Sequence, residues 1–256
     1  MRLISLNLWG GRAYGELESF LEREKDGTDI FCFQEVLDYT QGEPDLDSSE
    51  AKRMHHPSSF KEVADLYPRL VRILDGFDGS LSEPYSSGME RLATFSKKGT
   101  KASTRIMQAH PPFQVDVHGK PYTVSSIMQH TEIELANDLY SVFNIHGLWQ
   151  GSTKHDTPER IEQSKQIVRA LEGAGGLRIL CGDLNLLPDA ESIMIIENGM
   201  RNLIREYGIT STRSRLYTKE LRYADYVFVS ENLKVRGFEV LDEEVSDHLP
   251  LALDFS

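Results

Sequence analysis

Gly182-Asp183-Leu184-Asn185 closes the apolar run Leu177 to Cys181, and the reading of this stretch organises the rest of the chain. Alternate residues of an extended backbone share a face, so Asp183 and Asn185 at a strand end project together, a carboxylate beside an amide. Gly182, just ahead of them, permits a bend or a close approach of the backbone to a ligand. Near the other end of the sequence, Ser246-Asp247-His248 precedes the apolar run Leu249 to Leu253. Adjacent residues diverge, so Asp247 and His248 are predicted to serve two different groups, for example a cation and a phosphate.

Working outward, the same pattern recurs. Asn7 ends the run Leu3 to Leu6, Gln34-Glu35 ends Ile30 to Phe33, His146 ends Leu139 to Ile145, and Asp225 opens Tyr226 to Val229. Any one of these strings is ordinary, because Asp and Asn after a strand are common turn formers and a single histidine is commonly a hydrogen-bonded structural residue. Their co-occurrence, each at one end of a candidate strand, is the signal.

In this order, Leu6-Asn7, Gln34-Glu35, Asn144-Ile145-His146, Gly182-Asp183-Leu184-Asn185, Ala224-Asp225-Tyr226 and Ser246-Asp247-His248 make the chain resemble the endonuclease/exonuclease/phosphatase superfamily of metal-dependent phosphoesterases. The resemblance spans the whole sequence. It implies an α/β fold of the DNase I-like kind, with two mixed β-sheets packed as a sandwich, helices on the outer faces, four layers in all, and the site at one edge. It also implies Glu35 as the main metal ligand, with Asn7 and Asp247 approaching the same metal or the phosphate. Asp183 would hold and deprotonate water, and Asn185 would donate hydrogen bonds to the transition state or nucleophile. His248, oriented by Asp225, would contact a phosphoryl oxygen or shuttle a proton. His146 would be a second phosphate donor or the leaving-group acid, with Glu90 as its carboxylate partner. The abasic-site repair branch typically has tyrosine where this chain has His146, which weakens a repair-endonuclease reading.

The residues themselves support part of this chemistry. Hard oxygen donors suit Mg²⁺ or Mn²⁺, and no Cys or His set has zinc spacing. Cys32 and Cys181 sit in apolar runs and read as small buried hydrophobes of a reducing compartment. A net charge of -12, from 40 acidic and 28 basic residues, disfavours nonspecific tracking along nucleic acid, which rests on cationic contacts to phosphates. Lys154, Arg160, Arg213 and Arg215 are candidate phosphate contacts, Arg213 the best of them, although each also reads as a solvated surface cation. The run after Arg2 is too short for a signal peptide, and no 18-residue apolar stretch occurs, so a soluble cytoplasmic protein is expected.

A single catalytic domain over residues 1–256 is expected, opening with a strand, a helix at Tyr14 to Arg23 and a second strand. Leu37 to Ser59 reads as a solvated loop or a lid, with His55-His56 a remote substrate contact. Residues 60–74 have helical spacing, which Pro68 is expected to kink or divide. Strands follow at Arg91 to Phe95, Thr104 to Gln108, Phe113 to Val117, Tyr122 to Ile133 and Leu139 to Ile145. Thr157-Pro158 starts a helix ended by Gly173, and short helices are predicted at Ser192 to Ile196 and Met200 to Glu206. The functional expectation is a metal-dependent phosphoesterase, most readily a phosphodiesterase, acting on a small phosphate ester in preference to a nucleic acid polymer. The rivals are an endo- or exonuclease with a local cationic groove, and a binding module that kept the fold and lost catalysis.

Overall fold

Alternation of side chains along the twelve strands of the described residues builds the fold. The computed structural model describes residues 1–39, 61–86, 89–117, 119–135, 138–151 and 153–256. The predicted loop tip with His55 and His56 lies outside the described residues. In chain order the strands are β1 (Arg2–Asn7), β2 (Ile30–Val36), β3 (Phe77–Leu81), β4 (Arg91–Lys97), β5 (Lys101–Val117), β6 (Lys120–Leu135), β7 (Asp138–His146), β8 (Leu177–Asp183), β9 (Arg201–Asn202), β10 (Asp225–Val229), β11 (Val235–Val240) and β12 (Leu251–Phe255). They form two mixed six-stranded sheets, ordered β11-β12-β1-β2-β4-β3 and β5-β6-β7-β8-β10-β9.

The sheets pack face to face. Leu3, Ile30, Cys32, Leu251 and Leu253 of the first sheet share one core with Val142, Ile179, Cys181 and Val227 of the second. The intervening residues Ile4, Leu6, Phe31 and Phe33 point the other way, onto α1 (Tyr14–Glu24) and α2 (Leu66–Ile73), through Leu17, Phe20 and Leu70. On the far side of the second sheet lie α3 (Pro158–Glu172), α4 (Glu191–Glu197) and the one-turn α5 (Leu203–Glu206). The expected sandwich with outer helices is what the chain forms.

Four local departures have physical causes. Helix α2 begins only at Leu66, which places Pro68 in its first turn, where a missing N–H has no intrahelical partner to lose. The two strands expected between residues 104 and 117 are one strand, β5, which passes Pro111-Pro112 through register shifts between Gln108 and Phe113. Strand β3, not expected from its mixed sequence Phe-Asp-Gly-Ser-Leu, pairs with β4 at the sheet edge. The helix expected at Met200 to Glu206 is split, because Asn202 ends the short β9 and its side chain accepts the Ile204 backbone N–H at 3.0 Å to cap α5.

Candidate active site

Strand directions bring the polar residues together. β1 runs parallel to β2, and β7 parallel to β8, while β12 and β10 run antiparallel to β1 and β8. The ends of β1, β2, β7 and β8 and the starts of β10 and β12 therefore open on one rim. Along β8, Ile179 and Cys181 face the opposite sheet, and Asp183 continues their series. His146 and Asp225 are its cross-strand partners, so all three share the inward face where the apolar core gives out. Asn7 does the same for β1, and its Nδ2 donates across the sandwich to Asp183 Oδ2 at 3.1 Å. Beneath the rim, Gln34 Nε2 donates to Asn144 Oδ1 at 2.7 Å, so these two motif residues stitch the sheets together below the site.

Glu35 reaches the rim by a different device. Strict alternation would put it on the Phe31 and Phe33 face, under α1. The β2–β4 register slips by one residue between Phe33 and Val36, and Val36 takes that apolar position instead. Glu35, at φ 54°, is turned into the cavity, where its Oε1 accepts Asn7 Nδ2 at 3.2 Å. Asn185 also has φ 54°, with its backbone N–H donated to Asp183 Oδ1 at 2.8 Å. With Trp9 at φ 52°, three non-glycine residues lining this cavity have positive φ, strain held by the surrounding fold.

Asp183 is 1 % exposed. Burial alone would raise its pKa, but His248, His146, Arg213 and Lys154 outweigh that and hold it near about 2, so it is ionised. His146 Nε2 lies 3.6 Å from Asp183 Oδ2 and 3.3 Å from Asn185 Nδ2. The expected carboxylate partner of His146 is replaced. Tyr85 Oη, not Glu90, sits on His146 Nδ1 at 2.6 Å, and Glu90 is engaged instead by Ser86 Oγ. Burial, followed by the charges of Glu90, Glu35 and Asp183, pushes the Tyr85 pKa well up, so it stays a neutral phenol. Tyr85 carries no motif, which is why sequence reading misses it.

His248 is pinned by Asp225, whose two carboxylate oxygens each lie 2.8 Å from Nδ1. Thr212 holds Asp225 in turn, with Oγ1 donating to Oδ2 at 2.8 Å. Burial and the Arg213 charge press the His248 pKa down, and Asp225, Asp247 and Asp183 prevail in raising it. Asp247 and His248 do not part company as alternation predicts. Arg213 Nη1 bridges them, donating to Asp247 Oδ2 at 3.0 Å and contacting His248 Nε2, because the Arg213–His248 backbone bridge lays one loop along the other.

The candidate cations sort sharply. Arg215 is a surface residue paired with Glu244. Arg213, Lys154 and Arg160 are 6 %, 5 % and 0 % exposed, which overturns their reading as solvated. Arg160 is structural, its guanidinium donating to the carbonyls of Leu148, Thr153 and His155. Lys154 and Arg213 line the same cavity as Asp183, His146 and His248, with Trp9 and Trp149 on its walls.

Two groupings can be tested as metal sites. Asp183, Asp225 and His248 offer atoms within 4.8 Å of one another, but the His248–Asp225 hydrogen bonds already use part of that set. Glu35 and Asp247 line the same cavity, and Asp247 Oδ1 is buried with no hydrogen-bond partner among the described residues, an orphan carboxylate oxygen of the kind a hard cation would satisfy. Asn7 differs from the expected oxygen donor, because its Oδ1 accepts the Trp9 backbone N–H at 2.9 Å and its nitrogen faces the carboxylates.

A face-to-face pair of mixed sheets with this polar rim is the DNase I-like architecture, and it defines the class of the protein. Residues 4–248 match the model of the endonuclease/exonuclease/phosphatase family, and the chain belongs to that family, whose members are generally hydrolases of phosphoesters and generally depend on divalent metals. No curated protein matches the sequence. Among solved structures, an endonuclease/exonuclease/phosphatase from Bacteroides vulgatus is similar at TM-score 0.68 and 16 % identity, over 100 % of this chain and 98 % of that one. The mannosyl-6-phosphatase of Bacteroides thetaiotaomicron gives 0.65 and 16 %, over 100 % and 99 %. The human Nocturnin catalytic domain with bound sulfate gives 0.60 and 20 %, over 100 % and 93 %. At these identities the likeness is one of fold.

Proposed function

We propose that residues 1–256 form a single catalytic unit, a divalent-metal-dependent phosphoric ester hydrolase that drives in-line attack of water on a small substrate. The observation that carries the reading is the ionised, buried Asp183 held among His146, His248, Asn185 and Arg213 at one open rim. An ionised carboxylate there accepts a hydrogen bond from a water and orients its lone pair. Asn185 and the protonated form of His248 donate to the phosphoryl group as charge builds, and Asp225 fixes the His248 ring for that task. His146 stands at the leaving-group side and delivers a proton to the departing oxygen. Glu35 and Asp247, next to Asn7, would hold Mg²⁺ or Mn²⁺. When bound, the cation neutralises charge on a phosphoryl oxygen.

Phosphodiesters are the first class to test. Phosphomonoesters are the second reading, favoured by the two buried cations Lys154 and Arg213, which match a more highly charged phosphate. The decisive experiment is hydrolysis of diesters, monoesters, oligonucleotides and phospholipids after chelation and after readdition of metal. Activity is expected to vanish in EDTA and return with Mg²⁺ or Mn²⁺, and Glu35→Ala is expected to weaken metal binding measured by calorimetry. Full activity in the chelated protein would reject the reading.

A further inference from the structure

Lys154 takes no part in the water attack or proton transfer assigned above, yet its position in the cavity is fixed. Its Nζ donates to the Tyr223 carbonyl at 2.5 Å, and no carboxylate of the described residues lies within 4.0 Å of it. Its backbone is fixed on both sides. The buried Arg160 guanidinium ties down the carbonyls of Thr153 and His155 at 3.0 and 2.6 Å, and the Lys154 carbonyl accepts the Leu187 N–H at 3.1 Å. One aromatic ring serves both cavity cations: the Arg213 guanidinium carbon lies 4.2 Å from the Tyr217 centroid and Lys154 Nζ lies 5.7 Å from it.

A buried ammonium with no carboxylate in direct contact is only partly compensated, and a second cation beside it weakens that compensation. Burial first and then Arg213 lower the Lys154 pKa to about 8, against the opposing pull of Asp183, Asp225 and Asp247. A hydrogen bond to a carbonyl needs only a neutral donor. A charge kept here, balanced only at a distance by Asp183, Asp225 and Asp247, leaves ammonium donors for direct contact with an anion.

We propose that Lys154 and Arg213 form an anion subsite that takes a dianionic phosphate group of the substrate against the reaction centre. The inference rests on the phosphoric ester hydrolase reading. A diester phosphoryl group carries one negative charge on two non-bridging oxygens, whereas a terminal phosphate carries close to two on three oxygens. Two fixed cationic donors beyond the metal and the histidines match the terminal group. It is either the scissile phosphate of a monoester or a terminal phosphate beside a scissile diester, and both present the same dianion.

The test measures binding of methyl phosphate and dimethyl phosphate, at a pH where the first is a dianion, to the full chain and to Lys154→Gln and Lys154→Met. A charge-assisted hydrogen bond of ordinary strength predicts that both variants lose roughly tenfold or more in methyl phosphate affinity. Dimethyl phosphate affinity is expected to stay within about twofold. Melting temperatures of the variants are expected close to that of the natural chain, because relief from burying the ammonium offsets the loss of its hydrogen bond to the Tyr223 carbonyl. Unchanged methyl phosphate affinity overturns the subsite, and a lower melting temperature with unchanged binding assigns Lys154 a purely structural role. Turnover separates the two sources: Lys154→Gln slows p-nitrophenyl phosphate if the dianion is scissile, and slows only a p-nitrophenyl diester bearing a neighbouring terminal phosphate if it is not. If the natural chain hydrolyses none of these esters with Mg²⁺ or Mn²⁺, the parent reading fails, while the binding measurement still decides the subsite.

Discussion

At the scale of the residue, the site is a set of histidines whose protons are placed by their neighbours. His248 has Asp225 on Nδ1, so Nε2 is the nitrogen that faces the cavity, between Arg213 Nη1 and Asp183 Oδ2, the latter at 3.6 Å. His146 has the neutral phenol of Tyr85 on Nδ1. A phenol that donates there leaves the ring proton on Nε2, directed to Asp183 Oδ2. Tyr85→Phe removes that donor, orphans a buried ring nitrogen and frees the tautomer. It is expected to lower kcat by roughly tenfold with little change in KM, and steady-state kinetics on the preferred ester checks this. An unchanged kcat would show that His146 needs no such orientation. Asp183→Asn and His248→Ala are each expected to lower kcat by roughly two or more orders of magnitude in folded protein. The double variant should fall far short of the product of the two losses, since both groups serve one transition state. Near-normal turnover in either single variant would remove that residue from the chemistry. Asp183, Asn185, Asp225 and His248 were legible in sequence because each ends or opens an apolar run. Tyr85 was not, because it stands in a loop with no periodicity around it, and the burial of Lys154 depends on Arg160 folding the preceding segment inward, a tertiary event that local sequence does not encode.

At the scale of the element, the site depends on where strands stop being regular. Strand existence follows from apolar alternation, so most of the sandwich could be read in advance. The phase of that alternation could not, and it decides Glu35: one extra residue between Phe33 and Val36 moves this carboxylate from the helix-covered face to the rim. Gly182 shows the same dependence in a position that was legible. Its φ is 134°, and a Cβ there would stand 2.0 Å from the Ile145 carbonyl oxygen of β7. Sequence alone predicts a close approach to a ligand at this glycine; the structure puts it against the neighbouring strand, where the β7–β8 pairing sets His146 opposite Asp183. Gly182→Ala is expected to destabilise the fold by about 3 kcal/mol or more, from backbone strain together with a clash that no side-chain rotation relieves. Denaturant unfolding would test it. A midpoint like that of the natural chain would mean that β7 and β8 can separate without penalty and that the rim is not set by their contact.

At the scale of the whole molecule, charge separates a small substrate from a polymer. The chain carries a net charge of -12, and the cations closest to the reaction centre, Lys154 and Arg213, are buried inside the cavity. Exposed cations such as Arg23, Arg215 and Lys101 are matched by Glu243, Glu244 and Glu134, which leaves them poorly placed to follow a phosphate backbone. No helix among the described residues is long and apolar enough to cross a membrane. A groove that tracks nucleic acid and neutralises about 6 phosphates loses roughly a thousandfold in affinity between 50 and 200 mM salt, because each contact releases condensed counterions. A cavity that holds one or two phosphate groups has no such lever. KM for the preferred small ester is therefore expected to change only severalfold across that range, and a noncleavable oligonucleotide is expected to bind weakly throughout. Tight binding of single-stranded or duplex nucleic acid with a steep salt slope would reverse the preference and make the chain a nuclease, since only an interface spanning many phosphates produces that slope.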